Sequence, residues 1–410
     1  MNALLTKLRH SGPAAIITSA FIGPGTIIVS TKVGIQFGYS LLWATLFAVV
    51  ALMLLMEMAA RIAIVTRMDL VEASCQVFPK SMRWRRFIQG LILLAVLTVC
   101  FAFQAGNLTG GALGLADILG VDKNPVIWGM TLIVFAITFL GSSKIFEFTM
   151  KCFVGVMGII FIVTMLFVRP PVGEMAAGLI PQLPPGSYVL TLALVGTTLI
   201  GINLILHSIT TKARWHSEND LQAAKWDIGI NILVGGLITL ALVITAATIL
   251  RGVTIQGHPA LAFTRGLEPV LGSYARVLGD LGLFAAGLSS AITIPFTLKN
   301  ITNSIFHFQG GIHGLTANAI ATVAILFGAA LATTGKNPLE IIILAQATSG
   351  LFLPLIAVLI LIVANNRSQL GSHTNRLWQN AVGALVIVLT LLLGFNGISS
   401  AVKSLLTLLG

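Results

Sequence analysis

Apolar runs of about 20 residues recur from one end of this chain to the other, each long enough to cross a bilayer as a helix. Hydrophobic residues make up 56% of the chain and charged residues only 9%. A soluble globular chain carries about a quarter charged residues. That deficit excludes a soluble helical core. An outer-membrane barrel is excluded as well, because it would show short alternating strands. The first run lacks a small-residue cleavage site and reads as a span, not as a signal peptide. The fold class expected is an all-α integral membrane protein. Its about eleven spans fall near 13–33, 41–65, 87–108, 125–141, 150–168, 187–208, 227–249, 277–298, 316–334, 338–363 and 379–398. No separate soluble domain is visible, so 1–410 reads as one transmembrane transporter domain.

The formal net charge of +11 invites a nucleic-acid reading. Its distribution argues against one. With the spans placed, 16 Lys and Arg fall on the side of the N-terminus and the even-numbered connections, and 8 on the other. By the positive-inside rule the richer side is cytoplasmic. The excess is a topology signal for a multi-pass protein of the cytoplasmic membrane with its N-terminus inside. Trp84, Trp215, Trp226 and Trp378 lie beside basic residues on that side, as interfacial anchors do. Cys75, Cys100 and Cys152 form neither a metal-ligand spacing nor a disulfide framework. The partners implied are the lipid bilayer and a small ion or small molecule. No cofactor and no nucleic acid is called for, and nothing demands an oligomer.

Two spans are interrupted. "FIGPGTIIVS" (21–30) breaks the first at Gly23-Pro24-Gly25, and "LVGTTLIGINLILHS" (194–208) loosens the sixth with Gly196, Gly201 and a polar run. Either alone fits a Pro kink with packing glycines equally well. Together, at corresponding places in two halves, they point to an inverted-repeat transporter. The repeats would run over about 13–168 and 187–363, with an extra helix at about 379–398. Such breaks free backbone groups that lipid tolerates only when protein or a hydrated cavity covers them.

A resemblance sharpens this. "GPAAIITSAFIGPGTIIVSTKVGIQFGYSLLWA" (12–44) with "AARIAIVTRMDLVEA" (59–73) resembles the opening of Nramp transporters, the natural resistance-associated macrophage proteins. "GALGL" (111–115), "VGTTLIGINLILHS" (195–208) and "LAQATSGLFLPLI" (344–356) are similar to their third, sixth and tenth spans. The resemblance implies a leucine-transporter-type 5+5 inverted repeat with helices one and six broken. It also implies import of divalent transition metals, usually with protons. Several positions depart from the family pattern. Gly23 and Thr26 stand where the family's metal-ligating Asp and Asn belong. Ile200, Gly201 and Ile202 replace Met-Pro-His. Gln104 and Asn107 occupy the place of an acidic pair that serves proton movement. His207, Gln346 and both breaks survive, and the carbonyls of Ala20 and Thr197 sit where the family contributes backbone oxygens.

On this reading Gly23, Thr26, Ile200 and Asn203 line the substrate site, with Gln346 and the Ala20 and Thr197 carbonyls. Thr26, Asn203 and Gln346 are the side chains left to touch a metal. All are neutral. A dehydrated Mn²⁺ or Fe²⁺ wants carboxylate, imidazole or thioether, and would lose hydration here without gaining a charge partner. A hydrated Mg²⁺ keeps several waters and needs mainly oxygen contacts. The function expected is therefore a secondary transporter of a divalent cation, Mg²⁺ or Mn²⁺ in class, with proton coupling absent or altered. The alternative is a small organic acid or amino acid whose carboxylate binds the N-termini of the half-helices. No constellation for catalysis appears, so an enzyme is not expected. Candidates for coupling are Glu57, Gln104, Asn107 and His207. Glu57 is the one acid well inside a span, a functional candidate by default, but Arg61 lies at i+4 to pair with it. Asp227 and Glu340, near span ends, read as interfacial.

Overall fold

The computed structural model describes residues 12–77, 82–252, 259–268, 272–334 and 338–409. The side chains of 338–348, 350, 351, 393, 394 and 396–409 and a few isolated positions lie outside the description. The described residues form helices joined by short turns. Span one is two half-helices, Pro13–Phe21 and Pro24–Phe37, bent by 55°. Spans two to five are Leu42–Thr66, Met82–Leu119, Lys123–Leu140 and Ser143–Phe167. Span six is again two pieces, Tyr188–Thr198 and Gly201–Arg214. Leu221–Leu250, Ser273–Phe306, Leu315–Thr333 and Pro338–Ala364 are spans seven to ten, and Leu377–Leu409 carries the eleventh. Among the described residues eight helices are long and apolar enough to cross a membrane, or up to ten if each of two bent pairs is one span. The second such pair, Phe352–Ala364 with Arg367–His373, bends by 59° after span ten.

Burial separates a central set from a lipid-facing set. The apolar windows of spans two, six and eight are 78%, 78% and 83% buried, against 28%, 39% and 39% for spans four, five and nine. Leu132, Leu140, Phe148 and Leu166 are accordingly exposed on spans four and five. In lipid such exposure is unremarkable, since tails are as apolar as the side chains. Close approach in the centre relies on glycine. A Cβ on Gly235 of span seven would fall 2.4 Å from the Phe21 ring, and one on Gly34 would fall 2.6 Å from Ala246. Span seven therefore receives both halves of span one.

Span three runs further than its apolar pattern suggests. The apolar pattern ends near 108, where Thr109-Gly110-Gly111 follows, yet the helix continues to Leu119. The glycines serve contact, not termination. A Cβ on Gly287 of span eight would lie 2.3 Å from the Gly111 Cα. Small residues at such crossings let backbones meet, the usual basis of helix packing in lipid.

At the end of the bundle that holds Arg61, Arg67 and Lys212, here termed the basic end, the short helix Leu70–Val77 follows span two. Asp69 Oδ1 accepts the N–H groups of Val71 and Glu72 at 3.0 and 3.1 Å, and Glu72 Oε2 accepts the Asp69 N–H at 2.9 Å. This reciprocal cap explains why the two acids stand three apart. Ser304 of span eight donates to the Asp69 carboxylate at 2.8 Å, and Ser208 of span six accepts the Leu70 N–H at 3.0 Å.

Candidate transport site

The break in span one follows from its residues. Pro24 begins the second half-helix, where its missing N–H would find no intrahelical partner anyway, and Gly23 precedes it in extended conformation. Pro24 cannot donate to the carbonyl four residues back, that of Ala20. The carbonyls at this helix end are met by hydroxyls instead. Thr26 Oγ1 donates to the Phe21 carbonyl at 2.6 Å and Ser290 to that of Ala20 at 3.2 Å, while Ser289 shares its one proton between the Ser19 carbonyl at 3.3 Å and that of Ala286 in its own turn at 3.2 Å. Each hydroxyl, having given its proton, keeps oxygen lone pairs for a further donor.

Span six breaks at Leu199 and Ile200, with Ile200 extended ahead of Gly201. Gly201 is held against span ten, where a Cβ would meet Ile356 Cγ1 at 3.1 Å. Thr197, Ile200 and Asn203 are all buried. The Asn203 amide nitrogen has no hydrogen-bond partner. His207, one turn further, is fully buried; its Nε2 lies 3.5 Å from the Thr211 hydroxyl, and its Nδ1 is unpartnered.

Of the two amides in span three, one reaches the first break. Asn107 Oδ1 lies 3.5 Å from where a Cβ on Gly23 would be, and its buried Nδ2 has no partner. Gln104 packs instead against Gly328 of span nine, with both amide atoms unpartnered. The structure thus gathers Ala20, Gly23, Thr26 and Asn107 at one place and adds Ser289 and Ser290, which sequence reasoning missed. The adjacent serines of "GLSSAITIP" were the available signal. Nothing local distinguishes them from serines that bond their own helix.

Glu57 stands elsewhere. Its carboxylate is 3.3 Å from Arg61 and 3.6 Å from Lys225, and it accepts from Gln379 at 3.4 Å. Arg61 in turn donates to Asn375 and to the His373 carbonyl. These residues clasp span two to the segment before the last helix, and none belongs to span one or span six. Gln346 sits on the span-ten helix, but its side chain lies outside the described residues.

Between spans six and eight a cavity of ≈ 400 Å³ opens, lined by Asp69, Glu72, Ile209, Lys212, Asn300 and Ser304 among others. Its span-six wall follows directly on His207 in sequence. Burial pushes the Asp69 carboxyl above the usual range, and the neighbouring Glu72 adds to the effect. Lys212, 3.7 Å away and hydrogen-bonded to Glu72, works in the opposite direction. Among the described residues no group of three His, Cys, Asp or Glu side chains could hold a metal ion.

Apolar helices enclosing two broken spans, with uncharged groups at the breaks, define a multi-pass membrane protein of the leucine-transporter fold. More particularly, the chain belongs to the Nramp family: the natural resistance-associated macrophage protein-like model matches residues 14–400. The divalent metal cation transporter MntH of Klebsiella pneumoniae (strain 342) is 26% identical over 394 residues, 93% of this chain and 92% of the relative. The manganese transporter of Eremococcus coleocola, solved with an aromatic bis-isothiourea compound, superposes with a TM-score of 0.81 at 23% identity. That match covers 97% of this chain and 87% of the other. MhsT in complex with L-phenylalanine shares the fold more distantly, with a TM-score of 0.65 at 16% identity over 93% of this chain and 98% of that one.

Proposed function

We propose that this protein is a secondary carrier of a divalent cation, Mg²⁺ or Mn²⁺ in class, working by alternating access across the cytoplasmic membrane. The cation keeps part of its water shell in the site between the two breaks. Kinship with divalent metal transporters over nearly the whole chain supports the cargo class. The single observation that carries the hydrated form is the uncharged, oxygen-rich break. The hydroxyls of Thr26, Ser289 and Ser290 are committed as donors to carbonyls, so toward a ligand their oxygens accept. Acceptors match the protons of metal-bound water. They do not replace the carboxylate that a bare ion needs. The excess of Lys and Arg supports a cytoplasmic basic end and N-terminus. The two repeats are read as about 13–168 and 187–363.

A second reading has its own observation. The buried Asn107 and Asn203 amide nitrogens are unpartnered donors, and half-helix N-termini favour anions. Lys32, partly buried in the outer half of span one, makes no ion pair among the described residues. A small carboxylate is the cargo these groups would suit. Uptake of Mn²⁺, Mg²⁺ and a panel of small carboxylates by proteoliposomes separates the two. Saturable Mn²⁺ or Mg²⁺ uptake is expected. Carboxylate uptake with no divalent flux would replace the first reading by the second.

A further inference from the structure

Asp227 lies near the start of span seven, a position that reads as interfacial in sequence. It is 6% exposed, and its carboxylate grips the start of span one. Oδ1 accepts the Gly12 N–H at 2.7 Å and Oδ2 the Ala14 N–H at 3.0 Å. Pro13, between them, has no N–H to give. Asn231, one turn along span seven, donates to Oδ1 at 2.8 Å and steadies the carboxylate. A carboxylate at a helix N-terminus gains from the free N–H groups and from the helix dipole together. Hydrogen bonds to an ionised group are about twice as strong as neutral ones.

The helix held in this way is short. Pro13–Phe21 has 9 residues and ends at the Ile22–Gly23 joint. A helix of this length has little stability of its own, so its position depends on its ties. At its far end those ties are the neutral hydroxyl bonds from Ser289 and Ser290. At its near end the tie is a pair of charge-assisted hydrogen bonds, one to each carboxylate oxygen. Trp215, at the end of span six, closes over the same point, 3.7 Å from where a Cβ on Gly12 would be.

We propose that the Asp227 carboxylate is a latch. It holds the first half-helix docked at the basic end, and its release lets that half-helix swing about Gly23 and opens the path from the breaks to that end. The inference rests on the alternating-access reading above. Asp227 acts here as a positioning residue, touching no cargo.

The test uses the full chain in detergent with Cys75, Cys100 and Cys152 replaced and one reporter cysteine introduced. Ser19→Cys reports the first half-helix and Ser30→Cys the second; both positions are fully buried. N-ethylmaleimide labelling rates are measured in the parent, in Asp227→Asn, in Ala14→Pro and in Asn231→Ala, each checked for monodispersity and melting. Ala14→Pro removes a donor from the other partner, in the first turn where that N–H has no intrahelical acceptor. The latch predicts labelling at Ser19→Cys at least about tenfold faster in Asp227→Asn, the scale of one lost charge-assisted bond. Ala14→Pro should move the rate the same way and Asn231→Ala less. Slower labelling at Ser30→Cys would support reciprocal motion as well. Faster Ser19→Cys labelling with Ser30→Cys unchanged supports the latch while counting against alternating access. Parental rates in folded Asp227→Asn and Ala14→Pro overturn the latch, as does an equal rise at both reporters.

Discussion

The hydroxyl of Ser290 donates to the Ala20 carbonyl at 3.2 Å and stands 3.1 Å from the point where a side chain on Gly23 would begin. The serine and the missing carboxylate are thus neighbours across the first break. An Asp at position 23 would press on Ser290, while the Ser290 Cβ itself is 3.7 Å away, an ordinary contact. Gly23→Asp combined with Ser290→Ala should therefore bind Mn²⁺ at least about tenfold more tightly than the parent, because a carboxylate supplies the charge the site lacks. Gly23→Asp alone should gain less. Isothermal titration of the three proteins decides; equal Mn²⁺ affinities would place position 23 outside the cation site.

Thr26 carries a structural duty beside any role in binding. Its 2.6 Å bond satisfies the Phe21 carbonyl, which the break leaves without a helical donor. Thr26→Val leaves that buried acceptor unmet and should cost about 1–3 kcal/mol. Thr26→Ser keeps the hydroxyl and should stay near the parent. Melting in detergent gives the comparison, and a Val variant as stable as the Ser variant would show that water or another donor reaches the carbonyl.

Where spans three and eight cross, Gly287 has no room for a methyl group, its Cβ position lying 2.3 Å from the Gly111 Cα. Both backbones would have to part. Gly287→Ala should destabilise by about 1–3 kcal/mol, the range for overpacking. Gly229, on span seven, has nothing within 4 Å of its Cβ position. Gly229→Ala should be neutral or stabilising by up to about 1 kcal/mol through helix propensity. The same melting assay checks both, and like effects at the two sites would refute the close crossing.

Spans were legible because lipid imposes a length of apolar chain that few other structures need, and both breaks were legible because Gly and Pro disrupt a helix locally. What escaped the sequence lies at long range. Ser289 and Ser290 reach carbonyls 270 residues away, and a serine in an apolar run looks the same whether it meets a distant helix end, bonds its own turn or, like Ser289, does both. The part Asp227 plays escaped for a related reason: its partners are backbone N–H groups more than 200 residues distant, which carry no residue signature. Glu57 was half legible. Its i+4 partner Arg61 could be read from spacing, but Lys225 and Gln379 could not.

The last prediction concerns protons. Asn107 faces the Gly23 position at 3.5 Å, where the family pattern has an acid, and Gln104 is buried against span nine. An amide neither takes up nor releases a proton in the accessible range. Divalent cation uptake by the parent should therefore leave the pH of the liposome lumen unchanged and should not respond to an imposed pH gradient. Asn107→Asp puts a titratable, negatively charged group beside the first break. That variant should bind Mn²⁺ more tightly and should make uptake depend on external pH. An acidity-sensing dye sealed in the lumen reports the proton, and parallel metal flux is read by fluorescence quenching. Lumenal acidification during uptake by the parent would refute the prediction and point to a proton route that avoids span three.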